Sequence, residues 1–137
     1  MTLKDYLNTN DHFAASIGAQ LTEVREGYAR AELDVAENHI NGAGVCQGGV
    51  YYTLADLAFA AVSNGHGLIT LGISNTITFL KSAKLGDHLI AECTEVQDHH
   101  RLPYCDIRVS TSDGTLAAVM TGLAYRTRNP LETEGLM

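Results

Sequence analysis

Apolar and polar positions alternate along this chain with two different periods, and the change of period marks its elements. Residues 2–16 read as one or two short amphipathic helices anchored by Leu3, Tyr6 and Leu7, then by Phe13 and the following Ile17. Residues 19–26 and 28–35 read as a hairpin broken at Glu26-Gly27. In the second arm Ala29, Ala31, Leu33 and Val35 alternate with Arg30, Glu32 and Asp34, giving one dry face and one wet one. A glycine-rich turn then leads into a helix-length apolar run, residues 41–64, NGAGVCQGGVYYTLADLAFAAVSN. At 100° per residue Val50, Leu54, Leu57, Ala58 and Ala61 form one stripe. Asp56, Tyr52, Phe59 and Ser63 group on a second face that is also largely apolar, so the helix is expected to be covered on more than one side.

Asn64-Gly65-His66-Gly67 is a helix stop. Four strand patterns follow. In the first, Ile69, Leu71, Ile73, Ile77 and Phe79 share one parity and Thr70, Ser74, Thr76 and Thr78 the other. After a turn at 81–87 come strands at 89–96 and 104–111, and Asp113-Gly114 makes a tight hairpin into 115–128. The expected architecture is α+β: an antiparallel sheet with one apolar face wrapped around a single long helix. The whole chain, 1–137, reads as one domain, with a helical segment at 1–16 and a disordered tail at 130–137.

Charge sharpens one position. From Asn38 to Leu80, Asp56 is the only formally charged side chain, with His counted neutral. A carboxylate in such surroundings is costly to bury, so it is either satisfied structurally or kept for chemistry. Gly48 and Gly49 fall in the first helical turn, where N–H groups lack intrahelical partners and suit a developing oxyanion. The same glycines also permit close helix–sheet packing, and Asn41 and Gln47 also read as turn and cap residues.

The net charge of −7 argues against a nucleic-acid partner, although six of the nine basic residues lie at or after Lys81. Cys46, Cys93 and Cys105 show neither disulfide nor metal spacing, which fits a reducing cytoplasm. The first residues lack a secretory apolar region, and the apolar run at 50–62 is too short for a bilayer and contains Asp56. His99-His100 lacks a third ligand at recognisable spacing, so no metal is expected.

Asn41, Gln47-Gly48-Gly49, Thr53-Leu54-Ala55-Asp56 and the later ITFLKSAKLGD at 77–87 together resemble the hot-dog thioesterases of the phenylacetate-pathway (PaaI-like) type. The resemblance covers residues 15–128. It implies a curled sheet around one helix, two chains paired through their sheets, and acyl-CoA bound at the dimer interface, without metal or redox cofactor. It makes Asp56 the nucleophile or general base, the Gly48 N–H the group that polarises the thioester carbonyl, and Asn41 an orienting residue. The family commonly has histidine before the two glycines; this chain has Gln47, whose amide can donate a hydrogen bond but not a proton. Gly49, Tyr52, Phe59, Ser63 and Ser74 are candidate substrate contacts, and Lys81 and Lys84 candidate partners of the CoA phosphates, with Arg101, Arg126 and Arg128 behind them. A non-catalytic acyl-CoA-binding module is the alternative; a dehydratase is disfavoured because no histidine occupies the helix start.

Elementary geometry adds a constraint independent of any family. Eight helical residues separate Gly48 from Asp56 by about 12 Å along the axis, so one chain cannot bring both to one carbonyl. Two helices antiparallel across a two-fold axis can, which predicts a homodimer with shared sites, with pairing of dimers left open.

Overall fold

The computed structural model describes residues 1–137. The elements run α1 (Leu3–Asn10), α2 (His12–Ser16), β1 (Gln20–Arg25), β2 (Tyr28–Asp34), a 3-10 turn (Glu37–His39), α3 (Gly48–Asn64), β3 (Leu68–Phe79), β4 (His88–Gln97), β5 (Tyr104–Thr111) and β6 (Leu116–Pro130). The six strands form one antiparallel sheet in the order β1-β2-β4-β5-β6-β3. The sheet lays Ala29, Ala31, Leu89, Ala91, Ile107, Val109 and Met120 against α3, whose Leu54, Ala55, Leu57, Ala58 and Ala61 are all buried. Small residues on the facing strands let the sheet approach the helix closely, and the expected wrap of an antiparallel sheet around one long helix is what forms.

The strand pattern at 69–79 does not hold as one face. Gly72 pairs with Ala124, but Ser74 pairs with Leu123, so one extra residue is accommodated between them. Such a bulge inverts the alternation. Asn75, Ile77 and Phe79 therefore share the helix side with Gly122, Met120 and Ala118, while Leu71 lies opposite Tyr125 on the outer side. The Phe59 ring packs on this region: a Cβ at Gly122 would stand 2.8 Å from it, which requires glycine there, whereas one at Gly72 would make an ordinary 3.4 Å contact. The consequence for the site is that Asn75 is turned toward the helix.

The tail also differs from expectation. Instead of a disordered end, β6 continues to Pro130 and the following residues dock on α1. Leu3 and Lys4 N–H donate to the carbonyls of Gly135 and Leu136 at 2.8 and 3.0 Å, and Leu131 N–H donates to Gly67 O at 2.9 Å. The first turn of a helix has N–H groups in need of acceptors, and the tail supplies them. Sequence periodicity carries no signal for this, because the bonds are to backbone.

On the outer face, His88 of β4 is clamped by β2, with Nε2 2.8 Å from Glu32 and Nδ1 2.7 Å from Asp34. The Glu32 bond first, and then the Asp34 bond, raise its pKa above the ordinary 6.5. A raised folded value means the clamp stabilises fully below the unfolded pKa and is lost as pH rises through the folded one. The melting temperature is therefore expected to fall across that interval relative to His88→Gln, which thermal melts of both proteins over a pH series will read.

Candidate active site

The approach to α3 is held by backbone and by one histidine. Buried His39 accepts Ala36 N–H on Nδ1 at 2.9 Å, so its Nε2 carries the proton and donates to Ile17 O at 2.8 Å. His39 O in turn accepts Gln47 N–H at 2.8 Å, and Cys46 N–H donates to Ala83 O at 2.9 Å. Asn41 closes the glycine-rich turn, its Oδ1 accepting Ala43 N–H at 2.9 Å and Val45 N–H at 3.2 Å. These contacts fix where the helix begins.

Gln47 is the N-cap, in extended backbone at φ −69° and ψ 139°, with its side-chain oxygen accepting Gly49 N–H. A Cβ at Gly49 would lie 2.6 Å from that oxygen, so any other residue there would push the exposed Gln47 side chain off its cap. The Gly48 N–H has no acceptor within the chain. Gly48 lies in the lining of a cavity of about 410 Å³ with Asn41, Tyr51, Phe79, Lys81 and Ser82. Tyr51 ties the following loop to the helix start, donating to Lys81 O at 3.1 Å and accepting Ala83 N–H at 2.6 Å.

Asp56 lies two turns further along an unbroken helix. Asn75 Nδ2 donates to its carboxylate at 3.3 Å and to the Tyr52 hydroxyl at 2.8 Å, while the buried Asn75 Oδ1 has no donor. Burial raises the Asp56 carboxyl above its ordinary 3.8; the Asn75 bond opposes the shift and the charge of Asp11 adds to it. Asp56 opens on a second cavity, about 300 Å³, whose lining includes Phe59, Ser63, Asn64, Leu7 and Leu131.

The expected site residues thus separate into three groups on one chain. Asn41, Gly48 and Lys81 gather at the helix start, with Lys84 and Lys81 sharing the neighbouring cleft. Asp56, Phe59 and Ser63 gather at the other cavity. Tyr52 reaches Asn75 but lines a third hollow with Gln47 and Gly49. Ser63 donates back to Phe59 O at 2.8 Å, and Ser74 is carried by the bulge to the outer side, so neither hydroxyl is presented to Asp56.

Lys81 and Lys84 form no ion pair, whereas Arg126 is bound to Asp98 at 3.1 Å and Arg101 donates to Arg126 O. Burial pushes the Cys46 thiol up to about 11, which removes it as a nucleophile. Sequence reading missed Asn75, although it shares the parity of Ile77 and Phe79 and so lay on the face expected to meet the helix. It also missed the gathering of His66, Glu95 and Asp98, whose ligating atoms lie within 4.8 Å of one another; Asp98 is already committed to Arg126 there. No helix is long and apolar enough to cross a membrane.

The arrangement has counterparts among known proteins. Residues 43–118 match the profile of the Thioesterase superfamily. A protein of Archaeoglobus fulgidus is 40% identical over 124 residues, covering 90% of this chain and 80% of that one. The acyl-coenzyme A thioesterase PaaI of Escherichia coli is 30% identical over 117 residues, covering 85% and 84%. The structure of the E. coli PaaI protein from the phenylacetic acid degradation operon superposes with a TM-score of 0.84 at 26% identity, covering 96% of this chain and 100% of that one. With the profile spanning more than half of the chain and the same helix-in-sheet architecture, this chain belongs to the thioesterase superfamily and, within it, to the PaaI-like hot-dog thioesterases.

Proposed function

We propose that this protein hydrolyses the thioester of an aryl-acetyl or medium-chain acyl-CoA in the cytoplasm, giving free acid and CoA at sites shared across a homodimer. The observation that carries this reading is the division of labour along α3. An unpartnered N–H at Gly48 and a half-buried carboxylate at Asp56 belong to the linings of separate cavities of one chain. Neither end is a complete site.

In the dimer, the Gly48 N–H of one subunit donates to the thioester oxygen and stabilises the charge that develops on it. Asp56 of the other subunit takes a proton from the attacking water, or attacks the carbonyl itself. The carbon–sulfur bond breaks and the thiolate leaves as CoA, needing little protonation. Asn41 helps orient the water or the carboxylate. Gln47 holds the helix start in place through its cap, a role that needs no proton and so accommodates glutamine where imidazole is common. Lys81 and Lys84, neither held in a salt bridge, take the CoA phosphates.

Support for the pairing comes from β3. It is an edge strand of 12 residues with its outer edge unpaired and Leu71, Ile73 and Phe79 all more than half exposed, at 60%, 57% and 52%. A long apolar edge is a template for another strand. Two-fold pairing of β3 with its copy sets the two α3 helices antiparallel. Further association into a dimer of dimers is compatible with the exposed Tyr104 and Tyr125 on the outer face.

The test is subunit complementation. Asp56→Asn and Gly48→Pro proteins are each expected to be nearly inactive, but after co-refolding about a quarter of wild-type thiol release should return, since half of the dimers are mixed and each holds one intact site. No recovery from dimers shown by sedimentation to have exchanged subunits contradicts the shared site. The second reading, an acyl-CoA-binding module, draws on Gln47; acyl-CoA binding without thiol release in the wild type would select it.

A further inference from the structure

The cavity beside Asp56 has walls that the chemistry above does not use. It runs between α1, α3, β3 and the tail, bounded by Asp56 at one end and by Asn64 and Leu131 at the other. Leu131 is fixed at that far end by its N–H bond to Gly67 O, just beyond the C-terminus of α3. Asp56 to Asn64 is eight helical residues, about 12 Å. A volume near 300 Å³ running alongside that stretch of helix has room for an acyl chain of medium length.

The polar groups in the lining have already spent their hydrogen bonds. Ser63 Oγ donates to Phe59 O; Asn64 donates to Ala60 O and Thr70 O and accepts Thr70 N–H; Thr70 Oγ1 donates to Leu68 O. Apart from Asp56 and the half-buried Tyr6, whose hydroxyl makes no bond within the chain, the wall offers apolar surface, chiefly from Leu7, Phe59 and Leu131. Such a surface recognises a hydrocarbon and penalises a polar substituent.

α1 and the tail close this cavity by holding each other. Leu3 and Lys4 N–H bond to Gly135 O and Leu136 O, Glu134 N–H bonds to Met1 O at 2.8 Å, and the terminal ammonium pairs with Glu134 at 3.1 Å. Asn8 anchors the other end of α1 to β1, exchanging bonds of 3.1 and 2.8 Å with Leu21.

We propose that this cavity is the acyl pocket, that it takes a straight medium-chain aliphatic acyl group, and that the clasp of α1 with the C-terminal tail, through Leu7 and Leu131, sets the longest chain accepted. The inference rests on the hydrolase reading above and narrows it. The carbonyl lies at Asp56, the chain extends toward Leu131, and CoA leaves through the cavity at the partner's helix start. An aryl-acetyl group would fill only the half nearest Asp56 and leave the Leu7–Leu131 end unfilled.

The experiment is a chain-length profile of kcat/KM by thiol release, using straight acyl-CoAs from butanoyl to tetradecanoyl together with phenylacetyl-CoA. It is run on the wild type, Leu131→Trp and Leu131→Ala, with thermal melts to establish that each folds and Leu7→Trp in place of any tryptophan variant that does not. Wild type is expected to prefer octanoyl- or decanoyl-CoA to both phenylacetyl-CoA and butanoyl-CoA. Leu131→Trp should lower the decanoyl-to-butanoyl ratio about tenfold, the effect of excluding about two methylenes, and Leu131→Ala should move the optimum to longer chains. Profiles unchanged in both variants, or preference for phenylacetyl-CoA, overturn the proposal. Should the wild type release thiol from no acyl-CoA, the hydrolase reading fails by itself. The pocket is then judged by calorimetric binding of decanoate, where loss in Leu131→Trp upholds it and equal binding overturns it.

Discussion

Replacing Asp56 by asparagine is expected to lower thiol release by roughly 10²–10⁴ while leaving the fold intact. Asparagine is nearly isosteric and can still meet Asn75, but it can neither accept a proton at neutral pH nor attack a carbonyl. Its effect on stability should run opposite to its effect on rate. The Asp56 carboxyl is raised by burial, so the folded state binds its proton more tightly than the unfolded chain does. Charge at this position therefore costs stability as pH rises from the ordinary 3.8 through the folded value, and the cost is complete above it. Asp56→Asn should thus melt at the same temperature as the wild type, or higher, near neutral pH. The acid limb of kcat/KM in the wild type should lie above the usual carboxylate range and be absent from any residual activity of the variant. Equal turnover, measured as free thiol, would remove Asp56 from the chemistry.

Deleting one backbone hydrogen is the second large effect. Gly48 is the first residue of α3, the position at which proline is best tolerated because its missing N–H has no intrahelical partner. Proline also requires extended backbone in the residue before it, and Gln47 already sits at φ −69° and ψ 139°. A Cβ at Gly48 comes within 2.9 Å of the far edge of the Phe79 ring, a half-exposed side chain with room to turn. Gly48→Pro should therefore fold and lose about 10²–10³ in kcat, the usual consequence of removing one oxyanion donor. Gly48→Ala makes the same contact with Phe79 but keeps the N–H, so it separates the steric effect from the loss of the donor. If the alanine and proline variants lose the same activity, the N–H is not the group that matters.

Much of this architecture was legible in the chain. The period-3.6 run at 48–64 with its single charge, the glycine pair at its start and the alternating strands around it point to one helix under one antiparallel sheet, whose apolar face needs that helix to cover it. The helix also separates Gly48 from Asp56 by a distance that follows from its rise alone, and so forces the question of a second subunit. These are local consequences of residue type and spacing, and they need no knowledge of what the chain folds against.

Other features depended on contacts between distant segments. The bulge at Gly72–Ser74 puts Thr70 and Gly72 on the helix side before it and Asn75, Ile77 and Phe79 there after it, so the apolar parity read along the strand meets the helix only in its second half. The tail reads as disordered from its composition, yet its carbonyls satisfy the first turn of α1 and its Leu131 closes the cavity beside Asp56. Gln47 could have been a donor to substrate or a cap, and only the fold placed its oxygen on the Gly49 N–H. By itself the sequence determined the helix, its lone carboxylate, its glycine start and the sheet around them, since periodicity and burial cost act residue by residue. The tertiary structure alone decided which strand face meets Asp56, what closes the cavity next to it and which polar groups are already spent, because register, backbone-to-backbone bonds and cavity shape belong to pairs of segments and leave no mark on either one.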